Sequence, residues 1–480
     1  MDEFNPSKRL IVYHTSWACY GRNFQVKDLE IDAITDINYA FWDLRPNAVG
    51  FFVPTCSDPW ADTDKRYIGA DSVHPPDSHQ DMNPYHGNFG QQGKRFRFGL
   101  SIGGWTFSKY FSSAVATPSA RTAFVNEILI ILEKYPGLFD RIDLDWEHIS
   151  PPGQNHGNSG NETRPNDGQN FSEFLQLLQT SLPTNIEITA CLVADPSKMS
   201  ALPLAAMAQH LTTLNVMTYD FSSSSWGPCL AGHQANLRSH STYAPLSVER
   251  AVDHLIAKGV PAHKIVIGCA YYSRAFANTD GLGKPSSGTS PDKSWEEGVV
   301  DYKALPLPGS IEYWDPVAQA TYSYDPQKRV LSSYDSVDSV RAKCAFVHER
   351  GLAGVIVWES SADFPVSHER SLTAALARGL GISHDNKHIS SYSQQNSLQR
   401  QQQQQQPESQ RSLPPGFIAQ WSDHYKAYFY VNTITGVSQW ELPISQQQPA
   451  IPSLSTQQPE LPPRPTTSSN VPETQKASWL

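Results

Sequence analysis

"FDRIDLDWEHIS", residues 139–150, sets Asp140, Asp143, Asp145 and Glu147 among Phe139, Ile142, Leu144 and Trp146. A β-strand has period two, so Asp143, Asp145 and Glu147 project to one face and Ile142, Leu144 and Trp146 to the other. With the apolar face packed on helices, the acidic face points into a confined space. Three stacked carboxyls there cannot all stay ionised, because like-charge repulsion and desolvation both favour the neutral form. A protonated carboxyl at a strand end is what general-acid chemistry needs. Two other readings compete. An edge strand with a solvated acidic face fits poorly with so apolar a second face. A divalent-cation site lacks a His or Asn ligand on the acidic face.

Outward from this segment, apolar strand-like runs occur at 10–13, 34–44, 96–105, 142–147, 186–193, 214–221, 264–272 and 354–358. Helix-like stretches lie between several of them. In "TPSARTAFVNEILIILEKYP" (117–136), Thr117 is a candidate N-cap, Pro118 fits the first turn, and the pattern stops before Gly137. "NFSEFLQLLQTSL" predicts a second helix from Asn170. Eight near-continuous apolar strands alternating with helices predict an α/β fold. The number matches a (β/α)8 TIM barrel, in which inward side chains rise toward a C-terminal rim that carries the chemistry. The spacing breaks once, where about 80 residues separate the last two runs. That interval alternates and turns like an inserted α+β unit, over 275–350.

Lys and Arg number 37 against 47 Asp and Glu, a formal charge of -10 that argues against a nucleic-acid partner. The 12 Trp, 20 Tyr and 20 Phe suit stacking on sugar rings and equally suit a large core. Six cysteines (19, 56, 191, 229, 269 and 344) show no paired metal-ligand spacing, and Cys191 and Cys269 read as small buried hydrophobes within apolar runs. No metal and no cofactor are expected. The opening "MDEFNPSKRLIVYHTSW" has an apolar run of only four residues, short for a signal peptide. No stretch has the length of a membrane span. The expectation is a cytoplasmic protein, with leaderless secretion as the alternative. Composition changes near residue 384, dividing the barrel (1–383) from a Gln/Ser-rich linker (384–412), an aromatic patch (413–444) and a Pro-rich tail (445–480) expected to be disordered.

"FDRIDLDWE" resembles the D-x-x-D-x-D-x-E signature of glycoside hydrolase family 18, the chitinases. "SIGGW" (101–105), "MTYD" (217–220), "YYSRAF" (271–276) and "GVIVWES" (354–360) follow in register on the third, sixth, seventh and eighth strands. "SWEEGVVDYKALP" is similar to the insertion domain of the fungal and bacterial subgroup with deep clefts. The resemblance spans residues 8 to 380. It implies hydrolysis of chitin or chitooligosaccharides without an enzyme nucleophile: the sugar's 2-acetamido oxygen attacks the anomeric carbon, and water opens the oxazolinium ion.

Glu147 would then protonate the glycosidic oxygen, and Asp145 would hold the acetamido N–H and steady the cation. Asp143 would share a proton with Asp145, and Tyr219 would orient the acetamido carbonyl. Met217 and Asp220 would line the same subsite, with Trp358 as its floor. Tyr13, Phe41, Gly104, Trp105, Tyr272 and Arg274 would complete the substrate site, the last aimed at sugar hydroxyls. Tyr13 and Trp105 read as cleft or as core, and Trp226 as a stacking platform or a loop anchor. The sequence departs from the family at Arg141 and Ser273, where Gly is usual, and at His148, where Tyr is usual. Arg141 would enter the barrel near its floor, to pair with a carboxylate or to crowd the interior. His148, if protonated, would lower the pKa of Glu147. A lectin for chitin oligosaccharides and an endo-β-N-acetylglucosaminidase acting on N-glycan cores are the alternatives on this fold.

"LPPGFIAQWSDHYKAYFYVNTITGVSQWELP" (413–443) resembles a WW domain: Leu-Pro-Pro-Gly at the start, a strand in "AYFYVN", a turn at "TITG", and Trp440 three residues before Pro443. The resemblance implies a small core of Phe417, Tyr430 and Pro443, with Phe417 where Trp is usual. It also implies a groove of Phe429 and Trp440 for Pro-rich segments in the polyproline II form. The tail carries a candidate ligand, "ELPPRP" (460–465). The roughly 19 residues from Pro443 to Pro462 span on the order of 24 Å as a flexible chain, enough to fold back.

Overall fold

In the computed structural model the strand Arg9–Thr15 pairs in parallel with Asp36–Pro46 on one side and Gly354–Trp358 on the other, which closes a ring. The structure describes residues 7–65, 96–150, 154–200 and 202–382, and further along 417–422, 427–432, 435 and 438–439. Between the two closing neighbours run Arg97–Gly103, Arg141–Asp145, Glu187–Val193, Thr213–Met217 and Ile265–Ala270, each hydrogen-bonded in parallel to the next. These eight strands, numbered one to eight in chain order, are the predicted (β/α)8 barrel.

Alternation along strand four decides what faces where. Ile142, Leu144 and Trp146 join the large apolar layer between barrel and helices. Trp146 stacks on Phe111 at 5.4 Å and meets the edge of Phe171 at 5.6 Å. The helix Pro118–Lys134 begins as expected, with Thr117 Oγ1 accepting the amide of Ala120 at 3.1 Å. The helix Asp167–Ser181 starts three residues ahead of Asn170, because Asp167 accepts hydrogen bonds from the amide of Arg164 and from Ser112 Oγ and so anchors an earlier turn.

Strand six ends at Met217 rather than running on to Phe221. The Thr218 amide turns back to Val216 O, and its hydroxyl pairs with both the amide and the carbonyl of Gly268, taking the place of a backbone partner. Tyr219 and Asp220 are thereby freed to project over strand seven. After strand seven, Arg274–Phe276, Val330–Tyr334, Ala320–Asp325 and Ile311–Asp315 form an antiparallel sheet in that order. The helix Val337–Glu349 then packs on Leu372–Leu380 and leads into strand eight.

The chain divides into two compact units between His384 and Asp385. In the second, Phe417–Ser422, Ala427–Asn432 and Ser438–Gln439 form an antiparallel sheet. Tyr430 and Val431 are buried and Phe417 is half-buried. Asn432 Oδ1 accepts the amide of Thr435 at 3.0 Å; the other residues of the expected "TITG" turn lie outside the described residues. The side chain of Phe429, together with Trp440, Pro443, the linker and the tail, lies outside the described residues.

Candidate active site

Asp143 sits at the centre of the barrel, fully buried, and is fixed to four other strands. It accepts hydrogen bonds from Tyr13 Oη at 2.7 Å, Ser101 Oγ at 2.7 Å, Asn215 Nδ2 at 3.1 Å, and Thr189 Oγ1. Asp145 lies one step higher. It is 3% exposed, and its Oδ1 has no hydrogen-bond partner among the described residues. Burial first, and then the charge of Asp143, push its pKa up to about 8, against hydrogen bonding from the Cys191 thiol. Glu147, just beyond the strand, keeps about 15% of its side chain open. Its pKa stands well above the usual carboxylate range, through burial first and then Asp145 and Asp220, while the Trp105 backbone pulls it down. Ser108 Oγ accepts the Glu147 amide, and Asn161 donates to its carbonyl, so the backbone of the acid is pinned on both sides. The acidic face inferred from period two is therefore a column of three carboxyls, with burial and mutual repulsion raising the pKa of the upper two.

The walls are aromatic. Trp358 stacks on Phe41 (5.5 Å, 15°) and lies 5.6 Å from Tyr13 and 6.4 Å from Trp17. Gly103 and Gly104 adopt φ of +111° and +74°. A Cβ on Gly104 would come within 2.4 Å of the Phe41 ring, and one on Gly103 within 2.2 Å of Asp145 O, so both close approaches require glycine. Tyr219 lies over Gly268, where a Cβ would meet its ring at 2.7 Å.

Three expectations are corrected by position. Tyr13 does not line the cleft: it is fully buried and its hydroxyl serves Asp143. Arg274 is not free for sugar hydroxyls, because its guanidinium grips both oxygens of Asp220 at 2.8 Å while Tyr272 Oη donates to Asp220 Oδ1, also at 2.8 Å. His148 does not act as a cation beside the acid: burial drives its pKa down to about 3, so a neutral ring stands 3.6 Å from Glu147 Oε2. Arg141 pairs and does not crowd. It bridges Asp36 and Glu187 at the barrel floor and donates to Asn38 Oδ1. Gly99, its cross-strand neighbour, leaves the room: a Cβ there would lie 3.2 Å from Arg141 Cδ. Trp226 is 62% exposed and sits at the rim, 5.9 Å from the Arg274 guanidinium. Trp105 is half-buried, its ring 6.1 Å from His148, and Met217 is half-buried against the aromatic wall.

Ser101, Thr189, Asn215 and Cys191 were not singled out as site residues, yet all face the carboxyl column. Strand parity carried the signal for strand five, since Glu187, Thr189 and Cys191 alternate on one face. Reading Cys191 as part of an apolar run concealed it.

The model for Glycosyl hydrolases family 18 matches residues 9–363. The chain belongs to this family. Residues 413–443 match the WW domain. Among relatives, Endochitinase 1 of Metarhizium robertsii is 34% identical over 371 residues, covering 73% of this chain and 81% of its own. Chitinase 1 of Aphanocladium album is 33% identical over 390 residues, covering 77% and 85%. Among solved structures, the catalytic domain of the psychrophilic chitinase B from Arthrobacter TAD20 superposes with a TM-score of 0.70 at 26% identity, over 78% of this chain and 96% of that one. Chitinase ChiA74 from Bacillus thuringiensis gives 0.67 at 26% identity, over 79% and 71%.

Proposed function

We propose that this family 18 chain is a chitinase that cleaves β-1,4 bonds between N-acetylglucosamine units with retention, using the substrate's own acetamido group as nucleophile. One observation carries the reading. The carboxylate whose charge reaches Glu147 from outside strand four, Asp220, is locked by both prongs of Arg274 and by Tyr272, so it is not free to attack. Asp145 and Glu147 leave the same strand two positions apart, on one side of a bound sugar. A retaining enzyme with its own nucleophile needs a second free carboxylate across the ring, about 5 Å from the acid. Here the attack falls to the sugar.

Glu147, protonated, donates to the glycosidic oxygen as the bond to C1 breaks. The acetamido carbonyl oxygen forms the new bond to C1, and Tyr219 beside it directs that oxygen. Asp145, with an unpartnered oxygen, turns toward the acetamido N–H and, in its ionised form, offsets the positive charge of the oxazolinium ion. Water then opens the ring as Glu147, now a base, takes its proton. Trp358 and Phe41 supply the stacking floor. The second unit binds Pro-rich segments through Phe429 and Trp440. The test compares fluorogenic chitotrioside with the cellotrioside that carries hydroxyls in place of acetamido groups. The chitotrioside is turned over and the cellotrioside is not; comparable turnover of both would contradict the proposal.

A further inference from the structure

Strand six leaves strand seven early. Their last paired residues are Val216 and Ile267, and beyond them the turn at Thr218 carries Tyr219 and Asp220 away. The backbone groups of Gly268, Ala270 and Tyr272 on that side lose their sheet partner and need others. The Thr218 hydroxyl serves Gly268, and Asp335 Oδ2 accepts the amide of Ala270. At Tyr272, where the site begins, the partner is Gln234, whose Nε2 donates to Tyr272 O at 2.8 Å. The same side-chain amide holds the other edge of the gap: its Oε1 accepts the backbone amide of Asp220 at 3.2 Å. Gln234 O accepts the next amide, that of Phe221. Gln234 is fully buried, and its own amide donates to Ser333 Oγ at 3.0 Å, on the strand paired with Arg274. A reversed side-chain amide would set oxygen against oxygen and N–H against N–H, so its orientation is fixed by its neighbours. Asp220 itself has φ of +57°, a left-handed conformation uncommon for a residue with a Cβ.

We propose that Gln234 is a positioning residue of the active site: its buried side-chain amide takes the place of the missing pairing between strands six and seven and fixes Asp220 against Tyr272. Asp220 is locked from two directions, its carboxylate by Tyr272 and Arg274 and its bent backbone by Gln234. Gln234 acts through Asp220, whose charge is among those that hold the proton on Glu147. The inference rests on the reading in which Glu147 is the acid. The groups facing Asp220 are Tyr272, Arg274 and Glu296 from the segment after strand seven, with Glu147 and His148 from the end of strand four. Glu147 is faced also by Asp145 below it, Tyr219 from the end of strand six, and Cys191 from strand five.

The test measures kcat and the pH profile of kcat/KM on a fluorogenic chitotrioside for wild type, Gln234→Met, Asp220→Asn and the double variant, with Gln234→Glu and Glu147→Gln beside them. Gln234→Met keeps the length of the side chain and loses both hydrogen bonds. Its kcat falls about tenfold or more, and the alkaline limb moves to lower pH as the Asp220 charge shifts away from the acid. In the Asp220→Asn background the same change costs less than about twofold, because the carboxylate it positions is gone. Gln234→Glu, once its carboxyl is protonated, again accepts from Asp220 and donates to Tyr272 O, so its kcat relative to wild type recovers as pH falls. Equal losses in the two backgrounds, or a Gln234→Glu ratio that stays low at every pH, would overturn the proposal. So would a Gln234→Met protein with a lower melting temperature but unchanged kcat and limb, the mark of a glutamine that only fills and ties the fold. Turnover by Glu147→Gln at the wild-type rate would instead overturn the reading beneath it.

Discussion

Asp145 opposes folding at the pH where it works. Its pKa in the folded protein, about 8, lies above the ordinary carboxylate value, so the folded state holds a proton that the unfolded chain releases. Its full contribution to stability is present below about pH 4 and is lost as pH rises through 8. Asp145→Asn carries no such dependence. Its stability relative to wild type should therefore climb by up to about 1.4 kcal/mol per pH unit between roughly 4 and 8, in urea unfolding followed at several pH values. A flat difference would show that the site does not hold the proton. The sequence made this carboxyl legible through strand parity and like-charge crowding. It left the ring of donors around Asp143 illegible, because Ser101, Thr189 and Asn215 come from three other strands and only the closed barrel brings them to one oxygen pair.

At the scale of elements, the foot of strand four is tied to its neighbours by charge. Arg141 and Asp36 are fully buried and paired, and Glu187 is shared between Arg141 and Arg9. Burial opposes the charge on Glu187, but the two arginines prevail and hold its pKa down to about 2, so this stabilisation is present at neutral pH and is lost as pH falls toward 2. Arg141→Met should cost about 3 kcal/mol by urea denaturation, because buried Asp36 keeps only the more distant Arg9 guanidinium, at 4.0 Å, as a cationic partner. A loss under about 1 kcal/mol would mean that Arg9 alone compensates the charge. Parity placed Arg141 inside the barrel, but its partners were out of reach: Asp36 and Glu187 lie on strands two and five, and Gly99, which makes the space, on strand three. The early end of strand six has a similar cause. The apolar run through Phe221 reads as a strand, and only the Thr218 hydroxyl, by pairing with Gly268, turns Tyr219 and Asp220 out of it.

For the whole molecule, the division into two compact units between His384 and Asp385 predicts that hydrolysis and the proposed peptide binding are separable. Trp440→Ala in the full chain should abolish binding of a Pro-rich peptide by isothermal titration and leave chitotrioside kinetics unchanged; a parallel loss of both would contradict independence. Deleting residues 458–480 should raise affinity for the same peptide, since "ELPPRP" no longer competes, and unchanged affinity would remove the tail as a ligand. The barrel, its order of motifs and the second module were readable because each is written locally, in apolar runs, turns and short signatures. The burial that sets each proton was not, because it depends on eight strands closing. The central claim is that one protonated carboxyl at the end of strand four does the acid chemistry while the substrate attacks itself. Its most direct test is kcat for Glu147→Gln on a fluorogenic chitotrioside. The account predicts a fall of at least about 10²-fold with KM little changed, and turnover at the wild-type rate would contradict it.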